Sequence, residues 1–454
     1  MLKKRLHGAH VPHWKNTAGS KPERMPVPPL INLPMSMHIG APAKPVVKVG
    51  DEVKVGQLVA EAGGFVSSPI YSGVSGKVKK IEDMLMSSGQ KVPTVTIETD
   101  GKQELFEGVA PPKVTNLQEF LDAVRNSGVV GLGGAGFPTA VKLTVKDLSM
   151  IEAVIVNGAE CEPFITSDTR TMIDDAELVW EGIELLKKYL QVKRIIIGIE
   201  DNKPQCIENF RKMCTPGCGV EVKALPAIYP QGGEKVLIYN TIGRAVPEGK
   251  LPIDVGAVVI NCTTLAAIAK YIKTGIPLYE KCVTVDGSAV KNPKNVIAPI
   301  GTPLKDVFEF CGGFKTEPKK VLYGGPMMGL AVPDLNQPLL KNTNAVLAFG
   351  EKEARLPKET ACIRCGRCVG HCPFNLAPVD IETAFRLKDA AALAELKVNL
   401  CMECGCCAYV CPANRPLVQV NKLAKAMLKK YQDDQKAAEE KKKAKEEAMK
   451  EASK

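Results

Sequence analysis

The sequence predicts a multidomain chain of α/β and α+β type: a small β module, an α/β layer, a strand–loop–helix insert and a helical, cysteine-rich unit, in that order. Three observations predict it. Residues 46–81 alternate apolar and polar side chains between glycine turns. From about residue 117, helical periods alternate with short apolar runs, and a cysteine run is written twice between residues 362 and 412. The 454 residues leave room for about three domains, and 45% hydrophobic side chains suffice for real cores.

The first element, residues 1–115, takes its character from Val46–Ala62 and Val74–Ile81, whose alternation is that of half-buried antiparallel strands. The pattern resembles the barrel-sandwich modules of lipoyl and biotinyl carriers. In those modules a lysine at a hairpin tip carries the cofactor, whereas the matching turn here reads Ala62-Gly63-Gly64-Phe65. No swinging arm is expected, and the module reads as structural or docking. His7, His10 and His13, three of five histidines, lie among Gly8, Pro12 and Asn16 and read as solvated loop residues rather than metal ligands.

In the second element, residues 116–275, Leu117–Val124 has a helical period and Ala153–Asn157 is a short apolar strand. Asp174–Leu190 is an amphipathic helix, and Arg194–Gly198 is a second buried strand. Such alternation predicts a parallel sheet flanked by helices. The third element, residues 276–345, holds a strand, a loop and a helix closed by Gly312-Gly313, the outline of a β-grasp (SLBB-like) insert.

The fourth element, residues 346–428, carries Cys362-x2-Cys365-x2-Cys368-x3-Cys372-Pro373 and Cys401-x2-Cys404-x2-Cys407-x3-Cys411-Pro412. A loop of this spacing supplies three thiolates to a cube-shaped cluster, and the fourth comes from the other run. The predicted ligand sets for two [4Fe-4S] clusters are Cys362, Cys365, Cys368 and Cys411, and Cys401, Cys404, Cys407 and Cys372. Structural zinc is the competing reading, but it takes its sulfurs in two pairs rather than in a double run of four. Cys406 is expected to be a spectator. Asp380–Leu396 reads as one helix-prone stretch between the runs, and residues 429–454 as a solvated helical tail with pairs such as Glu439–Lys443 and Glu446–Lys450.

A second signal lies in Gly131-Leu-Gly133-Gly134-Ala-Gly136-Phe137-Pro138, followed by Lys142. The missing β-carbons let a flat ring or a pyrophosphate approach backbone N–H groups. The spacing is not the dinucleotide fingerprint G-x-G-x-x-G. Downstream come Asn157-x2-Glu160-x-Glu162-Pro163, Gly232-Gly233-Glu234 and Asn261-x-Thr263-Thr264. This ordered set resembles the flavin- and NADH-binding subunit of respiratory complex I and its hydrogenase relatives.

The resemblance implies that the glycine loop floors flavin mononucleotide (FMN) and nicotinamide, with Phe137 shaping the pocket. It further implies that Glu160 and Glu162 orient the nicotinamide or ribose, that Asn157 and the Gly232–Glu234 turn line the site, and that Asn261, Thr263 and Thr264 hold phosphate. Leu132 stands where complex I commonly has an arginine. Adding the lysine-free β module in front and the clusters behind, the whole chain resembles the C subunits of Rnf-type electron transport complexes. That resemblance implies hydride exchange with NAD(H) at FMN and one-electron passage through two clusters. It also implies partner subunits, an indirect link to ferredoxin, and coupling to Na+ or H+ translocation.

Composition agrees in what it excludes. A net charge of +10 suits nucleic acid, an anionic membrane surface or acidic protein partners, but 5% aromatic residues and no recognition motif make nucleic acid the weakest of these. No apolar run reaches the ~18 residues of a spanning helix, and Met1–His7 lacks an apolar leader. Composition thus leaves a soluble or peripheral protein, and the Rnf-type resemblance implies a peripheral place on the cytoplasmic face of a membrane. Two other readings stand beside this one: a soluble FMN and iron-sulfur reductase serving another acceptor such as a corrinoid, and a relay subunit without flavin.

Overall fold

The computed structural model describes residues 7–452; Met1–Leu6, read as lacking an apolar leader, and the side chains of Glu446 and Lys450 lie outside the described residues. The chain forms two compact units. The larger comprises Val11–Ala227 and Gln231–Arg355, and the smaller joins the N-terminal residues up to His10, Ile228–Pro230 and the chain from Leu356 onward.

Within the larger unit, the alternating stretch folds as two antiparallel sheets. One has the order Leu30–Pro34, Lys91–Thr99, Gly76–Leu85, Glu52–Val53, and the other Lys44–Pro45, Leu58–Glu61, Ile70–Tyr71. Ile31, Leu33, Val78, Val95 and Ile97 face inward and are buried, while Lys77, Lys79 and Lys80 stay in water. The Gly63-Gly64 turn is dictated by packing, because a β-carbon on Gly63 would fall 1.9 Å from the Pro42 carbonyl oxygen.

The α/β part contains a four-stranded, all-parallel sheet in the order Val220–Leu225, Ile195–Glu200, Ala153–Gly158, Ala257–Asn261. Helices Ala176–Leu190 and Cys262–Thr274 bury Val179, Ile183, Leu186, Leu265 and Ile268 in the same core as Val154 and Ile197. Leu237 and Ile238 of the Glu234–Ile242 helix cover Ile155 and Val259 on the opposite face, and this cover on both sides explains the unbroken apolar strands. The strand after Ala153–Gly158 pairs on one side of it and the last strand on the other, so the order reverses there. At such a point the carboxyl ends of adjacent strands open a ligand crevice. Asn157 and Asn261 are register partners at that edge.

The insert is a six-stranded sheet that reaches beyond the predicted 276–345. Its order is Glu23–Arg24, Lys294–Pro299, Glu280–Asp286, Ala345–Phe349, Lys320–Tyr323, Leu330–Ala331. The first of these strands comes from the N-terminal segment and pairs in parallel with Val296 and Ile297. Leu304–Phe310 is the expected helix, ended by Gly312 at φ +80°.

The smaller unit is helical, as expected, with one difference. The stretch 380–396 is two helices, Pro378–Arg386 and Ala390–Glu395, broken where Lys388 adopts φ +59° and the Asp389 carboxylate caps the Ala392 N–H. A side chain that captures backbone donors at a helix start outweighs the propensity of the alanines that follow. The last helix begins at Leu417, ahead of the predicted tail, and runs to Ala452. Glu382, 2% exposed, accepts from Arg415 Nε at 2.7 Å and from Arg386 Nη2 at 2.9 Å. Burial pushes its carboxyl up, but the two guanidinium groups outweigh that and hold it below the usual range. Glu382→Ala is expected to cost about 1 kcal/mol, because it removes the shared partner of an exposed Arg386 and a partly exposed Arg415, measured by denaturant unfolding of the iron-loaded protein.

Candidate functional site

The glycine loop closes on itself. Gly131 N–H donates to the Phe137 carbonyl at 2.8 Å, and Gly136 N–H donates to the Gly131 carbonyl at 3.0 Å. Leu132 N–H donates to Thr264 Oγ1 at 3.0 Å, tying the loop to the start of the Cys262–Thr274 helix. Leu132, where complex I commonly has an arginine, is 1% exposed and packs into the core. The N–H groups of Gly133, Gly134 and Ala135 donate to no protein acceptor among the described residues, and all three residues are exposed. A β-carbon on Gly133 would sit 2.9 Å from Asn261 Nδ2, and Gly134 is at φ +123°. Glycine is thus required both for the conformation and for the space. Successive unpaired N–H groups turned to solvent form a cradle for an anion or a ring edge.

Around that loop the other predicted residues converge. Asn157 Nδ2 donates to the Gly232 carbonyl at 2.9 Å, and Gly232 N–H donates to Cys161 Sγ at 3.3 Å. Burial pushes the Cys161 thiol far up, leaving it an uncharged acceptor. Gly233 caps the Glu234–Ile242 helix. Lys142 Nζ bridges Glu234 Oε1 at 2.6 Å and the Val259 carbonyl at 3.1 Å. Phe137 is half-buried at the loop's end.

The acidic pair differs from its expected role. Glu160, at φ +47°, accepts from Asp168 N–H at 2.6 Å, Thr169 N–H at 3.2 Å and the Thr169 hydroxyl, capping the Ser167–Asp174 helix. Glu162 accepts from Met327 N–H at 3.1 Å and Met328 N–H at 2.8 Å, which pins the Gly324–Gly329 loop. Burial raises both carboxyls to about 7, against Lys15 for Glu160 and against the two backbone donors for Glu162. Both oxygens of each carboxylate are committed to the protein's own donors, so these residues latch loops. The phosphate trio is likewise turned inward. Asn261 Nδ2 and Thr263 Oγ1 donate to Asp168 at 2.7 and 2.6 Å, and Asn261 Oδ1 caps Thr264 N–H at 3.1 Å.

In the smaller unit the two cysteine runs adopt the same backbone. Arg364 and Glu403 are both at positive φ, as are Gly366 and Gly405, and Asn375 and Asn414. In each run the αL turn aims an N–H at the first thiol: Arg364 to Cys362 Sγ and Glu403 to Cys401 Sγ, both at 3.4 Å. Leu376 N–H likewise donates to Cys372 Sγ at 3.4 Å. Such donors stabilise thiolate sulfur. Cys372, Cys401, Cys404, Cys406 and Cys407 line one small cavity, and Cys368 lies near Cys411. No three metal-binding side chains among the described residues close on a single-ion site. Thiols from both runs around a shared space fit a cube-shaped cluster. Cys362 and Cys365 are exposed, whereas Cys372, Cys404 and Cys407 are buried. Cys406 is buried too, against the Tyr229 carbonyl.

Family models match four successive stretches. They are an RnfC barrel sandwich hybrid domain over residues 4–102, a Nuo51 FMN-binding domain over 124–270, an SLBB domain over 282–331 and a 4Fe-4S dicluster domain over 361–415. The chain is 44% identical to the C subunit of the proton-translocating ferredoxin:NAD(+) oxidoreductase complex of Clostridium ljungdahlii, over 83% of each chain. The Na(+)-translocating counterpart of Acetobacterium woodii is 42% identical over 82% of this chain and 85% of that one. The C subunit of the ion-translocating oxidoreductase complex of Rhodobacter capsulatus is 40% identical over 92% and 82%. The chain belongs to the family of Rnf-type C subunits.

Several residues that build the site in this Rnf-type chain carry no signal in the sequence. Lys15 Nζ donates to three carbonyls of one loop, those of Glu160 and Glu162 at 2.8 Å and of Ile165 at 2.6 Å. Lys203 Nζ reaches the Ala159 carbonyl at 2.6 Å and pairs with the buried Glu200 at 3.0 Å. Asp168 gathers Asn261 and Thr263. The N-terminal histidines, read as solvated, have His7 and His10 exposed and His13 half-buried.

Proposed function

We propose that the chain is the peripheral subunit of an ion-translocating ferredoxin:NAD(+) oxidoreductase complex that exchanges a hydride with NAD(H) and hands on single electrons. The observation that carries this is the glycine cradle with three free N–H groups at the switch point of the parallel sheet, in one chain with doubled thiol loops. When bound, FMN accepts a hydride's two electrons together and gives them up singly, and two [4Fe-4S] clusters take them one at a time. The polypeptide supplies binding and placement. Gly131, Gly133, Gly134 and Gly136 admit the ring system to within contact of backbone, and Phe137 walls one side. Asn157, Lys142 and the Gly232–Glu234 turn hold the facing wall in place. Glu160 and Glu162 act on the dinucleotide by fixing the loop that meets it, and Asn261, Thr263 and Thr264 hold the phosphate side in register through Asp168 and Leu132. No group is needed to move a proton in the hydride transfer itself.

Cys362, Cys365, Cys368 and Cys411 hold one cluster and Cys401, Cys404, Cys407 and Cys372 the other. The first lies at the surface beside exposed Ile363, Arg364 and Arg367, and this is where electrons pass to or from the other subunits. No helix among the described residues is long and apolar enough to cross a membrane, and the subunit sits on the cytoplasmic face, held by its partners.

The test uses protein purified without oxygen. Iron and released flavin are quantified, NADH is added, and flavin bleaching and cluster reduction are followed in one cuvette. Bound FMN with about eight irons, both reduced by NADH, is the expected result. Clusters without flavin, even after reconstitution, would leave a wire and overturn the reading of residues 131–264.

A further inference from the structure

The carbonyl side of the glycine loop is as organised as its N–H side. The Leu132 carbonyl accepts from the Lys281 ammonium at 3.3 Å, and the Gly134 carbonyl accepts from Asn342 Nδ2 at 2.9 Å. These two carbonyls share peptide groups with the N–H of Gly133 and of Ala135, two of the three free donors. A cation or amide on a peptide oxygen draws electron density from the N–H at the other end, which strengthens that N–H as a donor.

Lys281 reaches this position from the Glu280–Asp286 strand and is 6% exposed. Its other bond goes to the Lys341 carbonyl at 3.1 Å. Asp168, the acid nearest in electrostatic terms, already receives Asn261 and Thr263, and no carboxylate forms an ion pair with Lys281 among the described residues. Burial lowers the Lys281 ammonium to about 8, with Asp168 opposing, so it is still mainly cationic at neutral pH. A buried cation without a counter-ion is costly, and such a group is ordinarily paired. The missing negative charge has a natural place on the far side of the peptide groups it polarises.

We propose that Lys281, aided by Asn342, is a positioning residue that makes the glycine loop an electrostatic seat for negative charge on the reduced flavin ring, and so raises the potential of bound FMN. This deepens the FMN reading above and rests on it. Two anions could use such a seat, the pyrimidine end of two-electron-reduced FMN or a phosphate of FMN or NADH, and the structure favours the ring because the three donors belong to an exposed stretch with no side chain larger than the Ala135 methyl.

The experiment compares the parent with Lys281→Met and Lys281→Arg, using anaerobically purified protein with iron and flavin quantified first. Dissociation constants for oxidised FMN, reduced FMN, riboflavin and NADH are measured together with the midpoint potential of the bound flavin. In Lys281→Met, reduced FMN is expected to loosen about tenfold more than oxidised FMN. That ratio corresponds to a drop of about 30 mV for a two-electron couple, and Lys281→Arg restores most of it. An unchanged potential in FMN-loaded Lys281→Met overturns the proposal. So does a loss confined to FMN and NADH that spares riboflavin, which assigns the seat to phosphate. Should Lys281→Met fail to fold, the half-buried Asn342→Ala gives the same reading, with a smaller fall in potential expected and no change overturning the proposal. Failure of the parent itself to bind FMN is a separate outcome that sinks the underlying FMN reading, and the seat with it.

Discussion

Cys411→Ala is expected to halve the iron, and adding Cys362→Ala to remove no more. The proposed crossed ligation makes this outcome specific: Cys411 lies in the second run but would complete the cluster of the first, so both substitutions would strike the same cube. Each single variant and the double are then expected to hold about four irons instead of about eight. If each run instead closed its own cluster, the double variant would be nearly iron-free while each single kept half. The nearness of Cys368 to Cys411, and of Cys372 to Cys401, Cys404 and Cys407 across the two runs, is the basis for expecting the first result. Iron analysis and low-temperature electron paramagnetic resonance of the reduced protein decide it. Non-additivity of this kind reports a shared structure.

Lys15→Met is expected to empty the flavin site from a distance in sequence of over a hundred residues. The ammonium satisfies three carbonyls of the 160–165 loop, and the loop in turn presents Glu160 to the Ser167–Asp174 helix and Glu162 to the Met327 and Met328 N–H groups. Stranding those carbonyls costs on the order of 3 kcal/mol, which is about a hundredfold in any binding that depends on the loop. The measurements are flavin content after gel filtration and thermal unfolding. Lys15→Arg should not rescue, because a planar fork cannot converge on three carbonyls as a compact ammonium does. A Lys15→Met protein with parental flavin content and melting would remove Lys15 from the site.

What could be read in the sequence was whatever chemistry confines to short spacing. A cluster loop must place thiols within one turn of each other, so the doubled cysteine run is visible in a single line of sequence, and so are the glycines that keep a loop free of β-carbons. The alternation of the β module and the apolar strands of the parallel sheet are equally local. Lys15, Asp168, Lys203 and Lys281 escaped because each acts across the fold on backbone groups, and a lysine serving a buried carbonyl looks like any other lysine. Glu160 and Glu162 stood out, but their neighbours could not say which way they turned: inward, to helix and loop N–H groups. The break at Lys388 was missed because the alanines on its far side have high helix propensity, and a single capping aspartate outweighs them.

The N-terminal segment gives the fold an order in time. Glu23–Arg24 lies beside Val296 and Ile297, and Lys15 closes on the 160–165 loop, so residues 15–24 are synthesised long before the partners that fix their place. Contacts of such long sequence separation form slowly, because a large loop must close before any gain is felt. Until residue 297 has left the ribosome, Glu23–Arg24 has no strand to pair with. Flavin capture is therefore expected after translation has passed the whole α/β domain, and a nascent chain truncated before the insert should emerge apo even where the glycine loop is complete.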